Sequence, residues 1–409
     1  MCEQHMKTID EKFKALATDH APGQEVRQKT SDLAAVMSGD ILGGVPVDFS
    51  HGDVDAFPPT PGSSRAWNDG FSCGARQAYT EYRGSAPIRE QLAARLGAFT
   101  ESPVDATSEL IITPGTQGAL FLALGATVTT GTRVGVVEPD YFANRKLVEF
   151  FGGERVPIPL RYKGTAAQNG PDLDVIESAF GNGTTVFVFS TPNNPTGVVY
   201  SHATITAIAS LAARYGVTLI VDQLYSRLLY SGESYTHLRA CKLVPDDMVT
   251  IMGPSKTESL SGFRLGVAFG SSKLIDRMER LQAIVSLRAA GYNQAALSTW
   301  FAEPDGWIAQ RLRAHEEIRD KLLGVFRSGG LQTTTPQAGS YLFPEFPPLT
   351  VDSASFVRLL RHQAGVTVTP GTEFGPGLHQ SIRLNFSQDS TSAIAAAQRI
   401  VRMVDMYRA

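Results

Sequence analysis

Short apolar runs that stop at polar or turn-forming residues recur through the middle of the chain. Residues 134–137, 187–189 and 217–221 are such runs. Uninterrupted apolar runs of this length are typical of buried parallel strands, and the stretches between them carry helical spacing. From about residue 65 to residue 290, this alternation predicts βαβ units and a mostly parallel sheet.

The ends of the chain have a different pattern. Residues 1–50 are predicted to form an arm with helical stretches, and residues 51–290 a large domain. Residues 278–323 have helical spacing and are expected to include a long connecting helix. The remainder, 291–409, is predicted to form a small α+β domain. We therefore expect an α/β protein with two domains and an arm.

Composition narrows the possible partners. The chain has 409 residues and is 43% hydrophobic, so it can bury a large core. Its net charge of −3 gives no positive electrostatic field that would attract nucleic acid or an anionic membrane. Cys2, Cys73 and Cys241 lie far apart, which predicts reduced thiols and no metal site. The amino terminus lacks a signal-peptide pattern, and no run of about 18 apolar residues occurs. These features predict a soluble, cytoplasmic protein.

The segment around Lys256 carries the strongest chemical signal. Lys256 is followed eight residues later by Arg264, within a glycine-punctuated stretch. A lysine held near a guanidinium at a turn can bind an aldehyde cofactor as a Schiff base beside an anchored phosphate. A solvated lysine is the alternative interpretation when this segment is taken alone.

Two of the apolar runs end at further candidate groups. The first opens into Asn194, which lies between two prolines, and the second ends at Asp222, with Tyr225 three residues later. Open α/β sheets bind ligands at the carboxyl ends of their strands. A carboxylate there needs a positive partner, such as a protonated pyridine nitrogen, although Asp222 could instead cap the next helix. Tyr225 could equally be a packed aromatic residue.

Together these segments resemble the class I and II aminotransferases, which are fold-type I enzymes dependent on pyridoxal 5'-phosphate (PLP). The resemblance rests on residues 193–197, 222–225, 255–257 with 262–266, and 381–386, in the order of the family. It implies an aspartate aminotransferase-like fold, in which helices sandwich a mostly parallel seven-stranded sheet in the PLP-binding domain, beside the small domain.

The resemblance also implies a role for each matched residue. Lys256 would form the Schiff base and then act as the general base, with Arg264 on the phosphate. Asp222 would pair with the pyridinium nitrogen, while Asn194 and Tyr225 would bind the phenolic oxygen of the ring. Arg383, which would otherwise be read as a surface arginine, would bind the substrate α-carboxylate through two hydrogen bonds.

Upstream segments extend the same resemblance. A glycine loop predicted to open a helix would supply phosphate contacts, and an aromatic residue would stack on the cofactor ring. A tyrosine would cross to the phosphate of a second subunit, which implies a homodimer with shared active sites; Tyr79 is aligned with this role, and Tyr82 is the alternative. The residues concerned are Gly115, Thr116, Gln117, Tyr141 and Tyr79.

One departure from the family pattern lies near Lys256. Gly253 stands where relatives usually carry a serine that contacts the phosphate, so that contact is either missing or taken over by Ser255.

A second departure lies at the expected substrate pocket, where the chain has His51, Gly52, Asp53 and Asp55. A solvated turn is one interpretation of this acidic stretch. Inward-facing carboxylates would favour a cationic substrate such as a guanidino amino acid. No second arginine can be assigned to a side-chain carboxylate, which disfavours aspartate and glutamate as principal substrates.

Transamination of an amino acid with a 2-oxo acid is therefore the expected reaction. A lyase or cyclase acting on a hydroxylated guanidino amino acid, as in the capreomycidine synthase branch, is the alternative. A PLP-sensing transcription regulator is disfavoured because about 50 residues are too few for a winged helix-turn-helix domain. A nicotinamide dehydrogenase is disfavoured because no Gly-x-Gly-x-x-Gly motif follows a first strand.

Overall fold

The structure is a computed structural model that describes residues 8–24, 28, 33–73, 78–165 and 168–409. Cys2 and the rest of the extreme amino terminus lie outside the described residues. Cys73 and Cys241 are free thiols, the first exposed and the second half-buried. Among the described residues, no helix combines the length and apolar character needed to cross a membrane, and no group of potential ligands could hold a metal ion.

The strands are β1 Val47–Asp48, β2 Leu110–Pro114, β3 Arg133–Glu138, β4 Glu154–Arg161, β5 Gly170–Pro171, β6 Val186–Ser190, β7 Thr218–Asp222, β8 Met248–Met252, β9 Leu265–Gly270, β10 Tyr341–Leu342, β11 Val366–Thr367, β12 Thr369–Pro370 and β13 Ile382–Asn385. The helices are α1 Ile9–Leu16, α2 Ser63–Ser72, α3 Ala86–Phe99, α4 Gly115–Thr127, α5 Phe142–Phe150, α6 Leu173–Gly181, α7 His202–Tyr215, α8 Ser272–Val285, α9 Gly291–Gln294, α10 Trp307–Ser328, α11 Ser353–Ala364 and α12 Ser390–Met406.

The large sheet has the strand order β2-β9-β8-β7-β6-β3-β4-β5. Strands β8, β7, β6, β3 and β4 run parallel, whereas β9 is antiparallel to both of its neighbours. The prediction of a mostly parallel seven-stranded sheet is confirmed for β2 to β4 and β6 to β9. The two-residue β5 adds an antiparallel eighth strand at the edge, where it pairs with only the last two residues of β4.

Helices cover both faces of this sheet because successive residues of a strand point to opposite sides. Leu219 and Val221 pack into an apolar cluster with helices α6 and α7. Ile220, between them, packs into a second cluster with helices α4 and α8. Strands buried on both faces explain the uninterrupted apolar runs in the sequence.

The carboxyl-terminal part of the chain forms a smaller α+β unit. Strands β10, β13 and β12 make an antiparallel sheet, and helices α10, α11 and α12 share one apolar cluster with it. Part of the amino-terminal segment joins this cluster through Leu33, Leu42 and Phe49, and β1 pairs with β11. The predicted connecting helix corresponds to α10, which the segment 286–306 separates from α8. The domain boundaries at residues 50 and 290 stay predictions.

Candidate active site

Polar side chains from distant parts of the chain surround one cavity at the carboxyl ends of the central strands. Register explains the convergence, since Ser190 at the end of β6 lies opposite Asp222 at the end of β7. The cavity has a volume of about 240 Å³. It is lined by Pro22, Ser50, His51, Thr116, Gln117, Leu120, Tyr141, Phe142, Ser190, Asn194, Asp222, Leu224, Tyr225, Ser255, Lys256, Ser261, Arg264, Tyr341 and Arg383.

Most of the predicted site residues are brought together here. The structure places eleven of the predicted positions at the cavity wall: His51, Thr116, Gln117, Tyr141, Asn194, Asp222, Tyr225, Ser255, Lys256, Arg264 and Arg383. Gly115 is not part of the lining but lies next to the Arg264 guanidinium, which is. Gly52, Asp53, Asp55 and Tyr79 are not part of the lining.

The start of α4 and the guanidinium of Arg264 form one side of the cavity. Gly115 has φ +77°, and a Cβ there would lie 2.6 Å from Nη2 of Arg264, so only glycine allows this approach. Arg264 itself has φ +54°, which is costly for a residue with a side chain. A helix amino terminus beside a guanidinium binds anions such as phosphate well.

Two further glycines, Gly266 and Gly253, allow close packing on the same side of the cavity. A Cβ on Gly266 would lie 2.3 Å from the carbonyl carbon of Gly115, so β9 can lie against the α4 loop only with glycine here. A Cβ on Gly253 would lie 2.8 Å from Cγ2 of Thr116. The Thr116 methyl group therefore occupies the space next to position 253, which is the position where the sequence departs from the family.

Asp222 presents a carboxylate at the end of β7. The backbone N–H of Leu224 donates to its Oδ1 over 3.0 Å. Burial raises the pKa of Asp222 to about 6, and the positive charge of Lys256 opposes this rise. A cation inside the cavity would keep the carboxylate ionised.

Arg383 closes the opposite side of the cavity from β13. It donates from Nη1 to Oδ1 of Asn194 over 3.2 Å and from Nη2 to the carbonyl of Ser50 over 3.1 Å. Its Nε has no partner among the described residues although it is buried. The guanidinium also lies over the rings of Tyr341 and Phe374, with its Cζ 4.3 Å and 4.9 Å from their centroids. A fixed, incompletely paired guanidinium of this kind can bind a carboxylate.

Tyr341, one of several lining residues that were not predicted as site residues, and Asp140 both connect parts of the site. Tyr341 is buried, and its hydroxyl accepts a hydrogen bond from Tyr225 over 2.7 Å. Asp140 accepts hydrogen bonds from the N–H and hydroxyl groups of Ser190 and from the N–H of Tyr141. It thereby joins two loops of the site, and burial raises its pKa to about 8. Its position two residues after the end of β3 is the signal that could have indicated it.

The acidic stretch near His51 forms a turn. Asp53 accepts from the backbone N–H of Asp55 over 2.8 Å, and Asp55 is exposed. Gly52 is half-buried against Ser387, and a Cβ added to Gly52 would lie 3.2 Å from the Cβ of Ser387. The solvated-turn interpretation therefore describes Asp53 and Asp55 better than inward-facing carboxylates do.

Tyr79 and Tyr82 lie at the surface of this chain. They are 73% and 41% exposed, and the guanidinium of Arg288 lies 4.5 Å and 5.0 Å from the two ring centroids. Neither tyrosine lines the cavity of its own subunit.

The residues present fit PLP. The cradle formed by Gly115, Thr116 and Arg264 suits a phosphate, and the carboxylate of Asp222 suits a protonated ring nitrogen. Lys256 supplies the amine for an aldehyde. The cavity thus holds the separate groups that this cofactor requires.

Comparisons with known proteins agree with this chemistry. Residues 47–400 match the model of the family "Aminotransferase class I and II". The crystal structure of a Rhodobacter sphaeroides protein, described as an aspartate aminotransferase, is 59% identical and has a TM-score of 0.94, with 98% of this chain and 100% of that chain covered. A probable aspartate/prephenate aminotransferase of Thermus aquaticus is 28% identical over 98% of each chain.

A third relative acts on a different amino acid, according to its name. The arginine–pyruvate transaminase AruH of Pseudomonas aeruginosa is 27% identical, with 94% of this chain and 95% of the relative covered. The names are those of transaminases, so the comparisons do not favour the lyase or cyclase alternative. The fold is that of aspartate aminotransferase, and the enzyme catalyses PLP-dependent transamination. The chain belongs to the class I and II aminotransferases.

Proposed function

We propose that the cavity around Lys256 is the site of transamination between an α-amino acid and a 2-oxo acid, and that Lys256, Asp222 and Arg383 have distinct roles in it. The observation that carries the proposal is that Lys256, Asp222 and Arg383 line the same small cavity. They come from the loop after β8, the end of β7 and the middle of β13.

Lys256 is proposed to hold the cofactor and to move the substrate proton. When bound, PLP supplies an aldehyde that links covalently to an amine and a ring that withdraws electrons from the substrate Cα. The amine of Lys256, once released from the cofactor by the incoming amino acid, removes the proton from Cα. Lys256 is half-buried, and its positive charge acts on the nearby Asp222.

Asp222, Asn194 and Tyr225 are proposed to orient the cofactor ring. Asp222 would pair with the protonated ring nitrogen, which also keeps this buried carboxylate ionised. Asn194 and Tyr225 would donate to the phenolic oxygen. Tyr141, whose hydroxyl donates to Oε1 of Gln117 over 2.9 Å, would stack on the ring.

The phosphate is proposed to bind at the start of α4. Arg264 and the free N–H groups of Thr116 and Gln117 would hold it. Ser255 is buried, and its hydroxyl donates to the carbonyl of Leu265 over 3.5 Å. This long hydrogen bond leaves Ser255 able to turn toward the phosphate.

Arg383 is proposed to bind the α-carboxylate of the substrate. Three of its hydrogen bonds go to neutral oxygens, and its Nε is left without a protein partner. A carboxylate would supply the missing acceptor and neutralise the buried charge.

The substrate side chain is proposed to be uncharged. Beyond Lys256, Arg264 and Arg383, the described lining of this subunit holds no lysine or arginine that could pair with a second carboxylate. Asp53 and Asp55 are not part of the lining, which removes the reason to favour a guanidino substrate. Aspartate is the second candidate because the 59% identical R. sphaeroides protein is described as an aspartate aminotransferase.

A substrate screen tests this function. The enzyme is mixed with each amino acid, with and without pyruvate or 2-oxoglutarate, and the products are followed by mass spectrometry. Neutral amino acids should give keto acids only as fast as the acceptor is consumed. Aspartate as the best substrate would refute the proposed side-chain preference, and repeated turnover without any acceptor would refute simple transamination.

A pair of lysine variants tests the site. Lys256→Ala should lose turnover by more than about 10³-fold while keeping part of its cofactor affinity. Lys273→Ala, which removes an exposed lysine paired with Asp247, should retain wild-type activity. Turnover by the Lys256→Ala variant at more than a tenth of the wild-type rate would refute the assignment.

A homodimer with shared active sites is also proposed. We propose that six exposed apolar side chains, each 41% to 82% exposed, form one apolar patch: Phe71, Tyr79, Tyr82, Ile284, Val285 and Leu287. Such a patch on one subunit is typical of an interface. Tyr79 would reach the partner's phosphate from this patch, with Tyr82 as the alternative.

Sedimentation velocity tests the dimer. Ile284→Asp, which places a charge on the apolar patch, should shift the enzyme from dimer to monomer. Ile41→Asp, at a similarly exposed isoleucine outside the patch, should leave the dimer intact. A monomeric wild-type enzyme would refute the interface. The cytoplasmic location and the domain boundaries at residues 50 and 290 stay predictions.

A further inference from the structure

Tyr341 lies where it contacts two groups of the proposed site at once. It begins β10, which pairs with β13 so that Tyr341 lies opposite Asn385 and close to Arg383. The ring is 4% exposed. Its hydroxyl lies 2.7 Å from that of Tyr225, and the two ring planes are nearly perpendicular, with centroids 5.4 Å apart.

The surrounding backbone keeps Tyr341 in this position. Gly339 has φ +78°, a backbone conformation that favours glycine, and it packs against the ring of Tyr225 at ordinary contact distance. The carbonyl of Gly339 accepts from the hydroxyl of Tyr230. The carbonyl of Ser340 accepts from the N–H of Phe386 over 2.8 Å. These hydrogen bonds fix the backbone just before Tyr341 and so help to keep its hydroxyl next to that of Tyr225.

The two tyrosines differ in acidity because they differ in their neighbours. Burial raises the pKa of Tyr225 well above its ordinary value. Burial acts on Tyr341 in the same direction, but the positive charges of Lys256 and Arg383, together with the hydrogen bond from Tyr225, outweigh it and lower the pKa of Tyr341. Asp222 and Tyr141 also face Tyr341, and neither supplies a positive charge. The positive charge of Lys256 therefore favours donation from the Tyr341 hydroxyl.

We propose that Tyr341 is a positioning residue that donates to the Tyr225 oxygen once PLP is bound, and so strengthens the hydrogen bond from Tyr225 to the phenolic oxygen of the cofactor. In the structure, Tyr225 donates to Tyr341. An anionic phenolic oxygen would attract the Tyr225 proton, and the Tyr225 oxygen would then be free to accept from Tyr341. Hydrogen bonds in such a chain polarise and strengthen one another.

The inference rests on the proposed role of Tyr225 and has a spectroscopic consequence. A donor at the phenolic oxygen stabilises the deprotonated form of the lysine-linked cofactor. Removing the Tyr341 hydroxyl weakens that donor, so the protonated form should persist to higher pH. The midpoint of the pH-dependent change in visible absorption should rise by about 0.5 to 1 pH unit, as expected for one hydrogen bond.

The experiment is a titration of the substrate-free holoenzyme from pH 5 to pH 10, followed by visible absorption. Tyr341→Phe should raise the midpoint by the stated shift and Tyr225→Phe by more. The double variant should match Tyr225→Phe alone, because Tyr341 acts through Tyr225. Tyr200→Phe, at an equally buried tyrosine outside the cavity lining, should leave the midpoint unchanged.

The outcomes separate this inference from the proposed function. An unchanged or lowered midpoint in Tyr341→Phe, together with a raised one in Tyr225→Phe, overturns the inference alone. An unchanged midpoint in Tyr225→Phe overturns the proposed role of Tyr225. Should Tyr341→Phe fail to fold, 3-fluorotyrosine at position 341 provides the opposite test. This more acidic phenol should lower the midpoint, and an unchanged or raised midpoint overturns the inference.

Discussion

Replacing Gly253 with serine, the residue that relatives usually carry, should weaken cofactor binding in this enzyme. An added Cβ would lie 2.8 Å from Cγ2 of Thr116, where an ordinary contact begins at 3.4 Å, so the two groups must separate by at least about 0.6 Å. The Cβ cannot retreat, because Leu265 O and Gly266 Cα lie 3.2 Å and 3.3 Å from it. Thr116 must therefore yield, at the start of α4.

Overpacking of this kind costs about 1 to 3 kcal/mol. Because Thr116 lies at the proposed phosphate site, we expect most of this cost to appear as a loss of cofactor affinity. About 1.4 kcal/mol corresponds to a factor of ten, so the dissociation constant of PLP should rise by about 5- to 150-fold. Titration of the apoenzyme with PLP, followed by the absorption of the lysine-linked cofactor, measures this change.

A compensating variant makes the prediction specific. Thr116→Ser removes Cγ2 and keeps the hydroxyl, so the Gly253→Ser/Thr116→Ser double variant should regain affinity to within about threefold of the wild type. Gly262→Ser is the matched control, because nothing lies within 4 Å of an added Cβ there. Wild-type affinity in Gly253→Ser, or a double variant as weak as the single one, would refute the reasoning.

Three further predictions concern substrate binding and stability. Arg383→Lys should raise KM for the amino acid about 10- to 100-fold with cofactor binding retained, because lysine cannot form the same set of directed hydrogen bonds; an unchanged KM in steady-state kinetics would contradict this. Lys146→Met removes the ammonium that lies 2.6 Å from the buried carboxylate of Glu373. It should lower the free energy of unfolding in urea by about 3 to 5 kcal/mol. The double variant Lys146→Met/Glu373→Leu should recover most of this loss, and no recovery would argue against the ion pair as the cause. Burial lowers the pKa of His315 to about 4, below its unfolded value of 6.5, so the unfolded chain binds more protons than the folded chain between these two pH values. Neutral His315 bonds Ser387 over 2.6 Å. Its contribution to stability is therefore present above pH 6.5 and is lost as the pH falls toward 4. The difference in Tm between His315→Gln and the wild type should therefore shrink as the pH falls through this window, and a constant difference would argue against a neutral imidazole.

The residues at strand ends were predictable because parallel strands expose their carboxyl ends at one edge of the sheet. An apolar run followed by a polar residue marks such an end, and both Asn194 and Asp222 follow this rule. Their presence at one cavity needed no knowledge of packing beyond the sheet. Lys256 and Arg264 follow it less directly, since their loop lies between β8 and the antiparallel β9, and their roles came from the resemblance to the family.

Tyr341 was not predicted as a site residue because nothing local distinguishes it from a core tyrosine. Its partner Tyr225 lies 116 positions earlier in the chain. Only the docking of the small antiparallel sheet on the large one brings the hydroxyl groups together. The acidic stretch at Asp53 and Asp55 illustrates the opposite case, since the Asp53 carboxylate bonds the local backbone and neither side chain lines the cavity that the resemblance suggested.

The sequence alone was sufficient to predict the alternation of strands and helices, because hydrophobic periodicity is a property of neighbouring residues. The short motifs around Asn194, Asp222 and Lys256 are likewise local, and their resemblance to the family implied the cofactor. Side-chain direction, pairwise distance and acidity depend instead on segments that meet only after folding. The methyl group of Thr116 that fills the space beside Gly253, and the charge of Lys256 that acts on Tyr341, therefore became evident only in the folded chain.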